Sequence, residues 1–233
     1  MATVHVLRVF VNAQRQYGNP LGVFLNGADV DDGHRQLVAA DLGYSESVYV
    51  DDRDRGVVRI FSPTSELAFA GHPLVGTAWL LEDTGTAAPV LRPPAGEVPV
   101  WTEGTRFWVR GRPEWLPAWE QIQLDSADAV DALRKPAKEH DFTQFWAWDD
   151  EAAGVVRARV FAGRIGVYED EACGSASMFL AHRLNRPLTI RHGDGSVLRV
   201  RPGADGSVEV GGDVVRDGTR RYDVAGGAGQ PVR

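Results

Sequence analysis

The chain has 233 residues, of which 43% are hydrophobic and 24% charged, and its formal net charge is −7. This length allows one large or two small domains, each with a buried core. Acidic and basic residues are interspersed without a basic stripe, which argues against nucleic-acid binding. The single cysteine, Cys173, excludes an intramolecular disulfide, and no apolar run approaches the roughly 18 residues that cross a bilayer. With no apolar N-terminal segment, the sequence predicts a cytoplasmic protein that does not enter membranes.

The first half of the sequence predicts short strands, two helices and a turn at Gly18-Asn19-Pro20. Runs of β-branched and alternating apolar residues predict strands at 4–11, 21–25, 45–52 and 57–62. A helix is expected over residues 30–44, with Asp31 or Asp32 near its cap and Gly43 at its stop. The second helix begins near Gly71, and short strands separated by Pro and Gly turns follow over 90–113.

The second half of the sequence predicts another group of short strands. Residues 126–135 are a helix candidate, and residues 143–162 predict a hairpin that turns near 149–154. A helix is expected from about Gly174 to Leu184. The remainder predicts a meander with three Asp-Gly turns, at Asp194-Gly195, Asp205-Gly206 and Asp217-Gly218.

Two strand-loop-helix units about 100 residues apart indicate an internal repeat, Arg59–Glu82 and Arg159–Leu184. Each unit ends in a glycine-led turn into an apolar helix, at Gly71 and Gly174. A helix N-terminus offers free backbone N–H groups and the positive end of a dipole to an anion. Two such ends at one cleft would form a binding site for a small carboxylate.

Many short strands and few helices favour the α+β class, with strongly curved, mostly antiparallel sheets repeated twice. The repeat predicts a boundary near residue 110, which gives an N-terminal domain over 1–110 and a C-terminal domain over 111–217. The C-terminal strands near 218–225 are candidates to complete the first domain. Residues 226–233 (GGAGQPVR) are expected to form a flexible tail.

Four motifs occur in order along the chain: Gly18-Asn19-Pro20, SESVYV over 45–50, FAGHPLVGTA over 69–78 and EDEACGSA over 169–176. With these motifs the chain resembles the PhzF-like (phenazine biosynthesis) proteins over nearly its whole length. The resemblance implies the diaminopimelate-epimerase-like fold, in which two similar domains each wrap a curved sheet or barrel around a central helix. It also implies an isomerase or epimerase that moves a proton on a small carboxylate-bearing amino or hydroxy acid without a metal or an organic cofactor. The family resemblance further implies a homodimer.

The resemblance assigns roles to particular residues. Glu46 matches the glutamate that takes a proton from one carbon and returns it to another, and His72 matches the family's catalytic histidine. Asp170 and Ser175 match the remaining catalytic polar pair. The substrate-binding residues that it implies are Asn19, Gly71, Cys173 and Gly174.

These roles agree with the physics of proton transfer from carbon. Hydrogens α to a carboxylate or an imine are weakly acidic, so the base must be positioned and desolvated. Burial raises the pKa of a carboxyl group and keeps the proton available for return. N–H groups at the two helix N-termini can stabilise the developing negative charge.

Simpler structural roles are the alternatives at each position. Glu46 could be a solvated charge at a strand edge, and His72 could only cap a helix. Asp170 could cap the following helix or pair with Arg164. Ser175 could be an ordinary first-turn residue. Asn19 could only form its turn.

Cys173 is the main departure from the family pattern, which usually has Thr there. The Ala-Cys-Gly-Ser form resembles the second catalytic cysteine of diaminopimelate epimerases, but their first thiol would fall at Ala70. One cysteine therefore excludes the two-thiol mechanism. Cys173 remains either a single base, with a pKa lowered by the helix N-terminus, or a small buried residue in place of Thr.

Other motifs fail their chemical requirements. Gly71 and Gly76 have P-loop spacing, but Thr77 and Ala78 stand where Lys and Ser or Thr are needed. The histidines are scattered without zinc-ligand spacing, and no Gly-x-Ser-x-Gly surrounds Ser175. Two alternatives to the isomerase stay open: a catalytically degenerate small-carboxylate-binding or dimeric assembly protein, and a lyase that uses the same base.

Overall fold

The computed structural model describes residues 1–134 and 140–223. The strands in these ranges are β1 (Ala2–Val11), β2 (Asn19–Phe24), β3 (Glu46–Asp52), β4 (Val57–Phe61), β5 (Glu66–Leu67), β6 (Val90–Leu91), β7 (Val98–Glu103), β8 (Arg106–Gly111), β9 (Glu120–Gln123), β10 (Thr143–Asp150), β11 (Val155–Ala162), β12 (Val167–Asp170), β13 (Leu188–His192), β14 (Ser196–Pro202) and β15 (Val208–Tyr222). The α-helices are α1 (Arg35–Leu42), α2 (Gly71–Asp83), α3 (Ala127–Asp131) and α4 (Gly174–Leu184).

The two glycine-led helices begin where the sequence predicts, at Gly71 and Gly174. The helix expected over residues 30–44 starts instead with a 3-10 turn over Asp32–His34, in which Asp31 accepts a hydrogen bond from the Gly33 N–H at 3.0 Å. α1 ends at Gly43, which has a φ of 68° that favours glycine. α3 covers only Ala127–Asp131 of the predicted 126–135, and residues 135–139 lie outside the described ranges.

The predicted turn at Asp217-Gly218 is wrong, because β15 runs through it without a break. Val6 pairs with Gly218 and Leu7 with Arg216, so Asp217 is an extra residue in the ladder. This is a β-bulge, and Asp217 also forms an ion pair with Arg8 at 3.2 Å. Long-range pairing with β1 outweighs the local turn preference of an Asp-Gly pair. The other two Asp-Gly turns separate β13 from β14 and β14 from β15.

The strands form one mixed sheet with the order β5-β4-β3-β2-β1-β15-β14-β13-β11-β10-β9. Most neighbours are antiparallel, whereas β2–β3, β9–β10 and β11–β13 are parallel. β15 joins the two halves of the sheet, because residues 213–222 pair with β1 and residues 208–212 pair with β8. The fold is α+β. α2 packs against β1, β2, β3, β8 and β15, and α4 packs against β14 and β15.

The internal repeat is visible in the strand pairing. β3 is parallel to β2, forms a hairpin with β4, and is followed by β5 and α2. β10 is likewise parallel to β9, forms a hairpin with β11, and is followed by β12 and α4. The domain boundaries 1–110 and 111–217 stay a prediction, and the tail predicted over 226–233 lies outside the described residues.

One apolar core extends through both halves and fixes the two helices. It includes Leu74 and Leu81 of α2 together with Met178 and Leu180 of α4, all fully buried. Within the described ranges, no helix is long and apolar enough to cross a membrane.

Candidate active site

The N-termini of α2 and α4 are in direct contact. A Cβ added at Gly174 would lie 3.0 Å from the His72 backbone N and 3.1 Å from the Gly71 Cα, which is closer than side chains normally approach backbone. Glycine at both positions therefore lets the helix ends meet. The first-turn N–H groups have no intrahelical partner, and both positive dipole ends lie at this junction.

Glu46 and His72 form a buried pair beside the junction. Glu46 begins β3 and is 6% exposed, while His72, in the first turn of α2, is 2% exposed. Nδ1 of His72 lies 3.0 Å from Oε2 of Glu46. Neither Oε2 of Glu46 nor Nε2 of His72 has a well-oriented hydrogen-bond partner among the described residues. The alternative that Glu46 is a solvated edge charge is wrong, because the side chain is buried.

Asn19 connects this pair to Asp170 from the other half of the chain. Its Nδ2 donates to Oδ1 of Asp170 at 2.5 Å and to the Ala172 carbonyl at 3.1 Å, and lies 3.5 Å from Nδ1 of His72. Ser45 donates to Oδ1 of Asn19 at 3.0 Å. Ser45 was not among the predicted site residues, although its place directly before Glu46 in the SESVYV motif was a signal for it. Asn19 therefore does more than form its turn.

Asp170 is a buried acid with a strongly raised pKa. Burial, and after it the negative charge of Glu46, raise the pKa of its carboxyl from 3.8 to about 6. His72, Cys173 and Asn19 oppose this rise by favouring the ionised form. A carboxyl with this pKa can both donate and accept a proton near neutral pH.

The two simpler roles of Asp170 are wrong. Arg164 pairs with Asp141 at 3.3 Å, and the N-cap of α4 is Cys173, with no side-chain cap hydrogen bond.

Cys173 does not have the lowered pKa that a helix N-terminus predicts. Its thiol is buried, and burial together with the charge of Asp170 raises the pKa well above the ordinary value. The Ala176 N–H and Ser175 favour the thiolate, but they do not outweigh burial. The geometry therefore favours a neutral, packed thiol over a single cysteine base.

Ser175 lies in the first turn of α4, and its Oγ is 3.6 Å from Sγ of Cys173. It accepts a hydrogen bond from Nε1 of Trp119 at 3.1 Å. The contacts of Ser175 are therefore with Trp119 and with Cys173, the residue that in turn contacts Asp170.

His192 supports the start of α4, a role that the sequence did not indicate. It is fully buried, and burial, together with the charge of Arg157, lowers its pKa to about 3, so the ring is neutral. Nδ1 donates to the Glu171 carbonyl at 2.9 Å, and Nε2 accepts from the Cys173 N–H at 3.4 Å. A lone histidine in a strand carries no sequence signal for this contact.

Residues 8–133 match the family model PhzC-PhzF, described as phenazine biosynthesis-like protein. The chain belongs to this family. It is 30% identical to trans-2,3-dihydro-3-hydroxyanthranilate isomerase of Pseudomonas aeruginosa, over 92% of this chain and 87% of that protein. The isomerase of the same name from Pseudomonas fluorescens is 32% identical, over 76% of this chain and 77% of that protein. Like these relatives, the chain is an isomerase.

Solved structures agree on the fold. The PhzF-family phenazine biosynthesis protein of Bacillus anthracis superposes with a TM-score of 0.76 at 16% identity, covering 94% of this chain and 97% of that one. A probable proline racemase of Agrobacterium radiobacter, solved with bound carbonate, reaches a TM-score of 0.61 at 12% identity, covering 96% and 93%. At these identities the likeness shows the fold alone.

Proposed function

We propose that this isomerase moves a proton between two carbons of a small, carboxylate-bearing amino or hydroxy acid, without metal or organic cofactor. The observation that carries the proposal is the buried cluster of Glu46, His72 and Asp170 at the junction of two helix N-termini. The relatives' substrate, trans-2,3-dihydro-3-hydroxyanthranilate, is a compound of this class and is the first candidate.

Each group of the cluster has a chemical task in the proposal. Glu46 takes the proton from carbon, and its buried, poorly partnered Oε2 favours proton transfer over solvation. His72 holds the glutamate and carries charge during the transfer. Asp170, whose pKa is about 6, supplies or accepts a second proton near neutral pH. The two helix ends bind the substrate carboxylate and the negative charge that develops on it.

The remaining predicted residues have supporting tasks in this proposal. Asn19 orients Asp170, and the glycines at 71 and 174 let backbone N–H groups approach the substrate. Ser175 and Cys173 line the start of α4 as binding residues, and Ser175 is also a candidate to transfer a proton. We further propose that the protein is a homodimer. We also propose a cytoplasmic location, which the presence of only one cysteine supports.

Solvent deuterium incorporation tests the proposal. The protein is incubated with trans-2,3-dihydro-3-hydroxyanthranilate in D₂O, and substrate and product are followed by NMR and mass spectrometry. We expect an isomerised product with deuterium at the newly protonated carbon. Binding without isomerisation or exchange would favour the degenerate binding protein instead. Release of water or ammonia with formation of a double bond would favour the lyase.

A further inference from the structure

A hydrogen-bonded ring connects the Asn19 turn to the strand that carries Asp170. Ser196, fully buried at the start of β14, accepts from the Gly18 N–H at 2.9 Å and donates to Oε1 of Glu171 at 2.6 Å. Gly18 precedes Asn19, and Glu171 follows Asp170. The 2.5 Å bond from Asn19 to Asp170 closes the ring.

Glu171 is itself firmly held, so that it can act as the fixed point of this ring. Its Oε2 accepts from the Asp194 N–H at 2.9 Å, and its carbonyl accepts from Nδ1 of His192 at 2.9 Å. Gly193 has a φ of +52°, and a Cβ there would overlap the Glu171 carboxylate. The β13–β14 turn is thus shaped around this side chain.

The loop that leads into Asn19 contains several residues with positive φ. Gly18 has a φ of +88°, and Arg15 and Tyr17 also have positive φ values of 61° and 62°. Such backbone conformations are unfavourable for non-glycine residues and persist only where surrounding contacts impose them. The bond to Ser196 is one such contact, and it lies directly beside the residue whose amide contacts Asp170.

We propose that Ser196 and Glu171 are positioning residues that hold the Asn19 amide on Asp170 across the two halves of the chain. The inference rests on the proposed function of the cluster. A displacement of about 1 Å at a reacting group can cost about 100-fold in rate, so a clamp on Asn19 has a direct consequence for proton transfer. None of the motifs that indicate the family contains Ser196.

A titration of the ligand-free protein tests the clamp without any substrate. The carboxyl of Asp170, which otherwise faces Glu46, His72 and Cys173, is followed by ¹³C NMR in the parent protein and in Ser196→Ala. Because the bond from Asn19 favours the ionised form, its loss should raise the pKa of Asp170 above the value in the parent protein. The control Ser207→Ala removes a buried hydroxyl that bonds only to Asp205 in the described structure, and should leave the titration unchanged.

Glu171→Ala gives the same test from the other end and covers the case in which Ser196→Ala does not fold. Removing a neighbouring negative charge would by itself lower the pKa of Asp170, whereas breaking the ring raises it. Asn19 is among the largest causes that shift the pKa of Asp170 and Glu171 is not, so the effect of breaking the ring should outweigh the lost charge and the pKa should rise. Each single variant and the double variant should slow deuterium exchange by a similar factor, about 10-fold to 100-fold. The losses should not add, because all three variants interrupt the same hydrogen-bonded ring.

Two results would overturn the clamp: parental titration of Asp170 in both variants, or additive losses of exchange rate in the double variant. The proposed function is judged separately. If Asp170 shifts as expected but the parent protein exchanges no deuterium with the candidate substrate, the clamp stands and the assigned reaction fails.

Discussion

Replacing Asp170 by Asn should stabilise the fold at neutral and alkaline pH. The pKa of this carboxyl is raised from 3.8 to about 6, with burial as the first cause. At about 1.36 kcal/mol per unit, ionising the fully buried group costs the native state on the order of 3 kcal/mol. Asparagine carries no charge and keeps an oxygen that can accept the hydrogen bond from Asn19.

The pH dependence follows from the sign of the shift. Below about pH 4 the native and unfolded chains both hold the proton, so Asp170→Asn should differ little from the parent. Between about pH 4 and 6 only the unfolded chain ionises freely, and the parent loses stability as pH rises. Above about pH 6 the free energy of unfolding of the variant should exceed that of the parent by the full difference of about 3 kcal/mol.

Urea unfolding at pH 3.5, 5 and 8 measures this difference, with the exposed Asp54→Asn as the control. Asp54→Asn should stay within about 0.5 kcal/mol of the parent at each pH. A variant equally stable with the parent at pH 8, or less stable, would refute the raised pKa and with it the acid that the mechanism needs.

Two further substitutions test the start of α4. Cys173→Thr should leave the rate of deuterium exchange nearly unchanged, because burial keeps the thiol neutral. A loss of orders of magnitude in that rate, with the fold retained, would show that the thiol takes part in the chemistry. Gly174→Ala should lower stability by about 1 to 3 kcal/mol in urea unfolding, because its Cβ would lie 3.0 Å from the His72 backbone N. The matched control is Gly218→Ala, whose Cβ would have no neighbour within 4 Å in the described structure. Equal losses of stability in the two variants would contradict the close approach of the helices.

The sequence predicted what depends on local pattern and missed what depends on distant partners. The helix starts at Gly71 and Gly174 followed from turn chemistry and apolar periodicity, and the structure places both where expected. The bulge at Asp217 was mistaken for a turn, because its pairing with β1 comes from the opposite end of the chain.

The site shows the same division. The motifs singled out Glu46, His72 and Asp170, and the structure brings them together. The raised pKa of Cys173 could not be predicted, because a helix N-terminus can be inferred from sequence but the extent of burial cannot. Ser196 lies 178 residues from its partner Gly18 and belongs to no motif, so only the fold reveals it.

Glu46→Gln, compared with Glu97→Gln, tests the central claim that Glu46 is the base. Glutamine keeps the size of the side chain but cannot accept a proton, whereas Glu97 is an exposed partner of Arg92 away from the cluster. Deuterium exchange into trans-2,3-dihydro-3-hydroxyanthranilate should fall by about 10²–10⁴-fold in Glu46→Gln and remain parental in Glu97→Gln. Substrate affinity should persist in both, because the proposed binding site for the substrate carboxylate is at the two helix ends. Exchange at the parental rate in Glu46→Gln would contradict the mechanism.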